Sequence, residues 1–314
     1  MKFIDGGVTA AEGFIAGGMY CGIRHNRSKP DLAMIYSQVP CAAAAVYTSN
    51  LVKGAPIQVT KRNLKNGRAQ AVICNSGNAN TCNFDGEEKA WRMCEIAGKA
   101  LNIPAEDVVV ASTGVIGQVL PIEPVEQAAP QLAASLSREG SAAAARAIMT
   151  TDTVEKEVAV ELELGGKTVR LGGIAKGSGM IHPNMGTMLC FLTTDAAVAG
   201  PALDQAIRLA VRDTFNMVSI DGDTSTNDTL AILANGMAGN ELLTESSADY
   251  PAFCEALKGL CARLARMLAK DGEGATKLLV GKVTGAETDE IARTVAKSVI
   301  CSSLVKAAMF GADA

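Results

Sequence analysis

The sequence has few aromatic residues, two histidines and no long apolar run. Aromatic side chains make up 4% of the 314 residues, so alanine, valine, leucine and methionine must fill the core. Neither histidine has a cysteine at ligand spacing, which excludes the common zinc sites. No stretch approaches the ~18 consecutive apolar residues of a membrane span. The first residues also lack the apolar core of a signal peptide. We therefore expect a cytoplasmic protein without a metal.

An excess of basic charge is also missing. The 29 basic and 33 acidic side chains give a formal net charge of −4, and the two signs are interspersed without a basic stripe. This pattern excludes the electrostatic footprint of a nucleic-acid-binding protein. The nine cysteines form no CxxC pair and mostly lie in apolar runs. They predict buried thiols in a reducing compartment.

Apolar periodicity predicts a mixture of strands and helices, and hence an α/β or α+β fold of one large domain or two ordinary ones. Short runs rich in β-branched residues predict strands at 32–37, 43–48, 57–60, 71–74, 108–112, 158–164, 168–171, 217–220 and 278–285. Spacings of three and four residues predict helices at 86–101, 140–149, 202–215, 251–269 and 289–300. The Gly165-Gly166 pair predicts a hairpin turn.

One glycine-rich run carries a chemical signal. Residues 173–189 place Lys176 in a stretch too rich in glycine for a helix, and the Gly186-Thr187 pair directly before the apolar run 188–192. A threonine that becomes N-terminal by self-cleavage holds a nucleophile and a base together, because its α-amine has a pKa of about 8. Taken alone, the same run also fits a threonine that simply opens a β-strand.

Two loops have a functional and a structural interpretation. The acidic run 221–228 has the alternate spacing of a calcium loop, but it carries Thr226 and Ile232 where that loop needs glycine and glutamate. A hydrogen-bonded turn fits it better. In the run 111–117, Thr113 and Gly114 can present a hydroxyl and an N–H to a developing oxyanion, or they form a plain turn.

Two acidic residues, Asp152 and Glu273, also lie in short motifs. Asp152, in the run TTDT, fits a helix cap. Glu273 lies between two glycines, where a ligand or another backbone segment can come close.

These motifs together resemble one family. GVTAAEGF, NSGNAN, ASTGVIG, TTDT, GGIAKGSGMIHPNMGTML, DGDTSTND and DGEGATK occur in the order seen in the bifunctional ornithine acetyltransferases/N-acetylglutamate synthases of arginine biosynthesis, over essentially the whole chain. The resemblance implies an αββα-like sandwich of the self-cleaving, DmpA-like type. It also implies an α2β2 heterotetramer and no bound cofactor. Some members use acetyl-CoA as a second acetyl donor.

The resemblance also implies roles for particular residues. Cleavage between Gly186 and Thr187 would leave an α chain of residues 1–186, with Thr187 as the nucleophile that accepts the acetyl group. It assigns the oxyanion hole to Thr113 and Gly114. Substrate binding is assigned to Thr153, Lys176, Thr187 and Glu273. The implied reaction moves acetyl from N2-acetyl-L-ornithine to L-glutamate.

The sequence departs from the family pattern at Gly186, where alanine is more usual, and at His182. Family sequences continue beyond 310–314 into a segment that adds an asparagine and a terminal serine or threonine to the pocket. We therefore expect a catalytic part at 1–200, a middle part at 201–276 and the start of a further part at 277–314. Two alternatives stay open at this point. One is an amidase or aminopeptidase that uses water as the acceptor, and the other is an inactive fragment that needs another chain.

Overall fold

A computed structural model describes residues 1–182 and 188–312, and in these residues nine strands and eight α-helices are found. The strands are β1 (Lys2–Ile4), β2 (Phe14–Met19), β3 (Leu32–Tyr47), β4 (Arg68–Asn78), β5 (Val108–Val115), β6 (Lys156–Leu164), β7 (Lys167–Lys176), β8 (Leu189–Thr194) and β9 (Thr229–Ala234). The helices are α1 (Ala55–Asn63), α2 (Gly86–Leu101), α3 (Glu123–Ser135), α4 (Ser141–Ile148), α5 (Gly200–Arg212), α6 (Tyr250–Lys270), α7 (Asp289–Ile300) and α8 (Ser303–Gly311).

Strand β3 joins the two halves of the sheet. The strand order is β1-β6-β7-β8-β9-β3-β4-β5, with β2 paired to β3. The first half of β3 pairs with β2 and β4 up to Tyr36, and the second half pairs with β9 from Ala42 onward. The register with β4 shifts between Tyr36 and Cys41. Because such an irregularity bends a strand and increases its twist, it allows one sheet to supply both layers of a sandwich.

Alternating residues of β3 face three separate hydrophobic cores. Leu32 and Met34 pack in a core with α1–α3 on the outer face of β4 and β5. Val46 packs with α5 and α6 on the outer face of β6–β9. Ala33 and Ile35 face the inner core, where residues of both sheet halves meet α4. The layers therefore run helix, sheet, sheet, helix.

Most of the predicted elements are confirmed. The helices predicted at 86–101 and 289–300 have the predicted bounds, and those at 140–149, 202–215 and 251–269 overlap α4, α5 and α6. The Gly165-Gly166 turn joins β6 to β7, and both glycines have a positive φ, of 56° and 74°. A two-residue hairpin of this kind matches the twist of the paired strands.

Three predicted strands are wrong. Residues 57–60 lie in α1, because Pro56 suits the first turn of a helix and the Thr60 hydroxyl bonds both backbone groups of Val110, at 2.7 and 2.9 Å. Residue 217 ends a 3₁₀ turn, and residues 218–220 form no ladder. Residues 278–285 are irregular and mostly exposed, so their apolar side chains do not compensate the loss of backbone entropy by burial.

Two further observations bear on the organisation of the chain. Strand β9, from the predicted middle part, lies between β8 and β3 of the predicted catalytic part, and the boundaries at 200 and 276 stay a prediction.

Within the described residues, no single helix has the length and apolarity to cross a membrane. Helices α7 and α8, bent by 57° relative to each other, pass that test only as a pair.

Candidate active site

A cleft of about 540 Å³ opens where β5 and β7 end beside the acidic loop 221–228. Its walls come from segments that are distant in sequence. The lining residues are Arg24, Gly77, Ala79, Thr113, Gly114, Val115, Ile116, Thr150, Thr151, Lys176, Gly179, Met180, Asp221, Asp223, Ser225, Thr226, Asn227 and Glu273. The fold thus brings the predicted residues Thr113, Gly114, Lys176 and Glu273 to one cleft.

Thr113 and Gly114 lie at the irregular end of β5. Gly114 has a φ of 134° and lies so close to β4 that an added Cβ would be 2.3 Å from the carbonyl carbon of Gly77. The parallel register between the strands shifts at this point. Only glycine adopts this conformation without strain. Gly114 therefore allows the strand to leave its regular pairing at the point where it lines the cleft.

Lys176 is the last residue of β7 and is 3% exposed. Its Nζ donates a hydrogen bond to Oγ1 of Thr113 at 3.1 Å. Burial lowers the pKa of Lys176, and the nearby carboxylates of Asp152 and Asp228 oppose that shift. Since Thr113 Oγ1 accepts from the lysine, its own hydroxyl hydrogen is left to donate into the cleft.

A buried ionic cluster bonds backbone groups beside the cleft. Lys156, which is fully buried, donates to Asp152 Oδ1 at 2.7 Å and to Asp271 Oδ2 at 2.5 Å. Asp152 also accepts the backbone N–H of Gly177 at 2.7 Å and that of Thr150 at 3.0 Å. Burial would raise the pKa of Asp152, but the charges of Lys176 and Lys156 bring it below its usual range. Asp152 is therefore a link between three segments.

Two more of the predicted substrate-binding residues, Thr153 and Glu273, differ in their surroundings. Thr153 does not line the cleft. Its hydroxyl and its backbone N–H both donate to the carboxylate of Asp271, the N–H at 3.0 Å. Glu273 does line the cleft, and its backbone N–H donates to the carbonyl of Ser178 at 2.7 Å. The side chain lies against Gly179, where an added Cβ would be 2.5 Å from Glu273 Oε1.

The acidic loop and one arginine complete the walls. Asp221 accepts backbone N–H groups from Met180 and, at 3.0 Å, from Ile181, so it holds the segment that leads to residue 182. Among the described residues, no cluster of acids, histidines or cysteines has the geometry of a metal site. Arg24 also lines the cleft and donates from Nε to Ser76 Oγ at 3.1 Å. Burial lowers the pKa of the Arg24 guanidinium.

The predicted cleavage site, Gly186 and Thr187, lies outside the described residues. The residue after it, Met188, is held on both sides of its backbone. Its N–H donates to Asp228 Oδ1 at 2.8 Å, and its carbonyl accepts from Thr229 at 3.1 Å. The next residue, Leu189, pairs directly with Lys176 in the sheet. The chain therefore resumes beside the lysine of the cleft.

Sequence reasoning missed Arg24, Lys156 and Asp271. Lys156 and Asp271 are 115 residues apart, so neither motif alone indicates their ion pair. The sequence does contain a signal for Asp271, because this residue begins the same run, DGEGATK, that contains Glu273. Arg24 lies in an exposed polar stretch that gives no signal beyond its charge.

Comparisons with known proteins give one consistent result. A model of the ArgJ family matches residues 15–314. The arginine biosynthesis bifunctional protein ArgJ of Symbiobacterium thermophilum is 53% identical over 316 residues, which cover 100% of this chain and 79% of that protein. The solved ornithine acetyltransferase of Mycobacterium tuberculosis, complexed with ornithine, is 35% identical with a TM-score of 0.53. That match covers 58% of this chain and 95% of the solved one.

A more distant likeness concerns the fold alone. The L-aminopeptidase D-Ala-esterase/amidase of Ochrobactrum anthropi, described as a variant of the Ntn hydrolase fold, has a TM-score of 0.50 at 13% identity. The match covers 85% of this chain and 86% of that one. Together with the layers described above, it confirms the predicted αββα-like sandwich.

Proposed function

Because the chain belongs to the ArgJ family, we propose that it moves an acetyl group from N2-acetyl-L-ornithine to L-glutamate in arginine biosynthesis. The proposed carrier is an acetyl ester on Thr187. The observation that supports this most is the single cleft that joins Thr113, Gly114, Lys176 and Glu273.

The proposed reaction begins with the Thr187 hydroxyl, which attacks the acetamide carbonyl while the free α-amine of Thr187 takes the proton. Thr113 Oγ and the backbone N–H of Gly114 stabilise the oxyanion. The hydrogen bond from Lys176 turns the Thr113 hydroxyl into a directed donor. Ornithine leaves, and the amine of glutamate then accepts the acetyl group in the reverse sequence of steps.

The charges of the cleft suit amino-acid substrates. Arg24 and Lys176 are its cations, and Glu273 lies on the wall that also carries the acidic loop. An α-carboxylate pairs with a cation and an ammonium pairs with a carboxylate, so both charged ends of ornithine or glutamate have partners. A water acceptor has neither an α-carboxylate nor an ammonium group, so these charged partners favour acetyl transfer to an amino acid over hydrolysis.

Self-cleavage before Thr187 is supported by the length of a relative's chain. The Mycobacterium tuberculosis ornithine acetyltransferase chain matches 58% of the 314 residues, or about 182, over 95% of its own length. It is therefore about as long as the segment 1–186. The Symbiobacterium thermophilum protein is longer than this chain, which covers 79% of it.

The decisive experiment combines cleavage and transfer. Intact mass should show two chains that meet at the Gly186-Thr187 bond, and these chains should form acetylglutamate from acetylornithine and glutamate. Thr187→Ala should block both events, while Thr187→Ser, which keeps a hydroxyl, should retain part of each. Release of free acetate without acetylglutamate would refute the transferase proposal in favour of an amidase.

Three further expectations belong to the same proposal. We propose that the two chains assemble as an α2β2 heterotetramer, and that acetyl-CoA serves as a second acetyl donor without a bound cofactor. All nine cysteines are free thiols, which supports a reducing compartment such as the cytoplasm. Light scattering and an acetyl-CoA-dependent assay test the first two.

A further inference from the structure

The side-chain amide of Asn227 joins the acidic loop to the ends of β4 and β5. Asn227 is 7% exposed and lines the cleft. Its Nδ2 donates to the carbonyl of Ser112 at 2.9 Å and to that of Ala79 at 2.6 Å. Its Oδ1 accepts the hydroxyls of Thr81 and Thr226, each at 2.6 Å. Because an amide has two N–H donors and two lone pairs, these four bonds leave none for a substrate.

The neighbours of Asn227 allow one orientation of its amide. A carbonyl can only accept a hydrogen bond, so a flipped amide would place its oxygen against the carbonyls of Ser112 and Ala79. The amide is also tightly packed, since a Cβ added to Gly54 would lie 2.6 Å from Asn227 Oδ1. The N–H of Gly54 donates to the Thr226 carbonyl at 2.9 Å and holds this contact. Bonds and packing together therefore fix the amide.

The Ser112 carbonyl belongs to the open edge of β5, the last strand in the order of the sheet. Two earlier carbonyls of this edge also accept from side chains. The Val108 carbonyl accepts Nδ2 of Asn63 at 2.9 Å, and the Val110 carbonyl accepts the Thr60 hydroxyl at 2.7 Å. Alternate residues of a strand present their backbone groups to the same side. Ser112 is therefore the third carbonyl in this series.

The same alternation gives the direction of the Gly114 N–H. The Val115 carbonyl accepts the N–H of Ala79 at 2.9 Å, so Val115 faces the β4 side. The N–H of Gly114 therefore points to the open edge, as the Ser112 carbonyl does. Peptide groups are planar, so only φ and ψ of Thr113 separate these two groups. A bond that fixes the Ser112 carbonyl thus restricts the directions of the Thr113 hydroxyl and the Gly114 N–H.

We propose that Asn227 is a positioning residue of the oxyanion hole, an inference that rests on the proposed function. Asn227 acts through Thr113 and Gly114 and does not itself bond the substrate. Lys176 holds Thr113 at its side chain, at 3.1 Å, and Asn227 holds the backbone that precedes it. Oxyanion donors must be aimed before the reaction begins. A displaced strand end therefore slows acetyl transfer without weakening substrate binding.

The test compares Asn227→Ala with Asn63→Ala in steady-state transfer from acetylornithine to glutamate. Each variant removes a buried amide from a carbonyl of the same edge, at Ser112 or at Val108, and Asn63 does not line the cleft. Asn227→Ala should lower kcat by about 10- to 100-fold and leave KM within about threefold of the parent. Asn63→Ala should keep the parent's kcat and KM, although it should also lose stability in urea unfolding.

Two further variants separate positioning from a general loss of structure. Asn227→Asp keeps the side-chain volume and both acceptor contacts, but its carboxylate cannot donate to Ser112, so kcat should fall even where Asn227→Ala does not fold. In a double-mutant cycle, Thr113→Val removes the hydroxyl that Asn227 helps to aim. Asn227→Ala should therefore cost less in the Thr113→Val background than in the parent, whereas independent effects would multiply.

Each outcome of these assays has a defined meaning. The inference is overturned if Asn227→Ala and Asn227→Asp keep the parent's kcat, if they raise KM instead, or if Asn63→Ala lowers kcat equally. Effects of Asn227→Ala and Thr113→Val that multiply also overturn it. A parent chain that transfers no acetyl group, or a Thr113→Val variant as fast as the parent, would instead refute the proposed function, and the inference would fall with it.

Discussion

Replacement of Lys156 by methionine tests the buried ionic cluster beside the cleft. The substitution keeps most of the side-chain volume but removes the ion pair of Asp271 and leaves Asp152 with only the more distant charge of Lys176. The side chains of Asp152 and Asp271 are 0% and 7% exposed, so water cannot replace the lysine. Breaking a buried pair by removal of one partner costs about 3–5 kcal/mol. We expect a loss of this size in the free energy of unfolding.

The assay is urea unfolding followed by circular dichroism at pH 7, with Arg146→Met as the control. Arg146 forms an exposed ion pair with Glu155, at 57% and 39% exposure, so its loss should cost less than about 1 kcal/mol. The double variant Asp152→Asn with Lys156→Met removes one orphaned charge and should recover part of the stability. Non-additivity of this kind is expected for residues in direct contact.

The loss of stability in Lys156→Met should change with pH in a defined direction. In the intact cluster the pKa values of Asp152 and Asp271 are lowered, so the stability they contribute is present above about pH 4 and is lost as the pH falls through the folded values. Without Lys156, burial acts on both acids with less opposition, and protonation then relieves the folded state. The deficit of Lys156→Met should therefore shrink between pH 7 and pH 4. A deficit below about 1 kcal/mol, or one independent of pH, would contradict the assigned ion pairs.

Three further predictions concern the cleft itself. Thr113→Val should lower kcat by about 100- to 1000-fold with little change in KM, whereas Thr113→Ser should stay within about tenfold of the parent in steady-state assays. Arg24→Gln should raise KM for the amino-acid substrates by about 10- to 100-fold, with partial recovery in Arg24→Lys, and an unchanged KM would remove Arg24 from the site. Gly114→Ala should destabilise by about 2–5 kcal/mol, because its Cβ would lie 2.3 Å from Gly77. Gly117→Ala, with a φ of 80° and open space around its Cβ, should cost about 1–2 kcal/mol in the same urea assay.

Local patterns predicted many of the helices and strands because those elements bury one clear face. Helix α6 has Phe253, Leu257, Leu260 and Leu264 on one stripe, and all four are fully buried. The same reasoning failed at 57–60, where β-branched residues favour a strand but contacts of Thr60 with β5 stabilise a helix. Propensity was overridden there by tertiary contacts.

The sequence by itself determined the chemical inventory of the cleft. The motifs contain the hydroxyl of Thr113, the glycine at 114, the lysine at 176 and the glutamate at 273, all of which line the cleft. Whether these residues meet depends on strand pairing across long separations, which no local pattern encodes.

Tertiary structure decided the partnerships. Lys176 meets Thr113 across 63 residues, and Asp228 meets Met188 across 40. Asp152, expected as a helix cap, joins Lys156 and the backbone of Gly177 instead. The physical reason is burial, since a charge removed from water must find partners wherever the folded chain brings them.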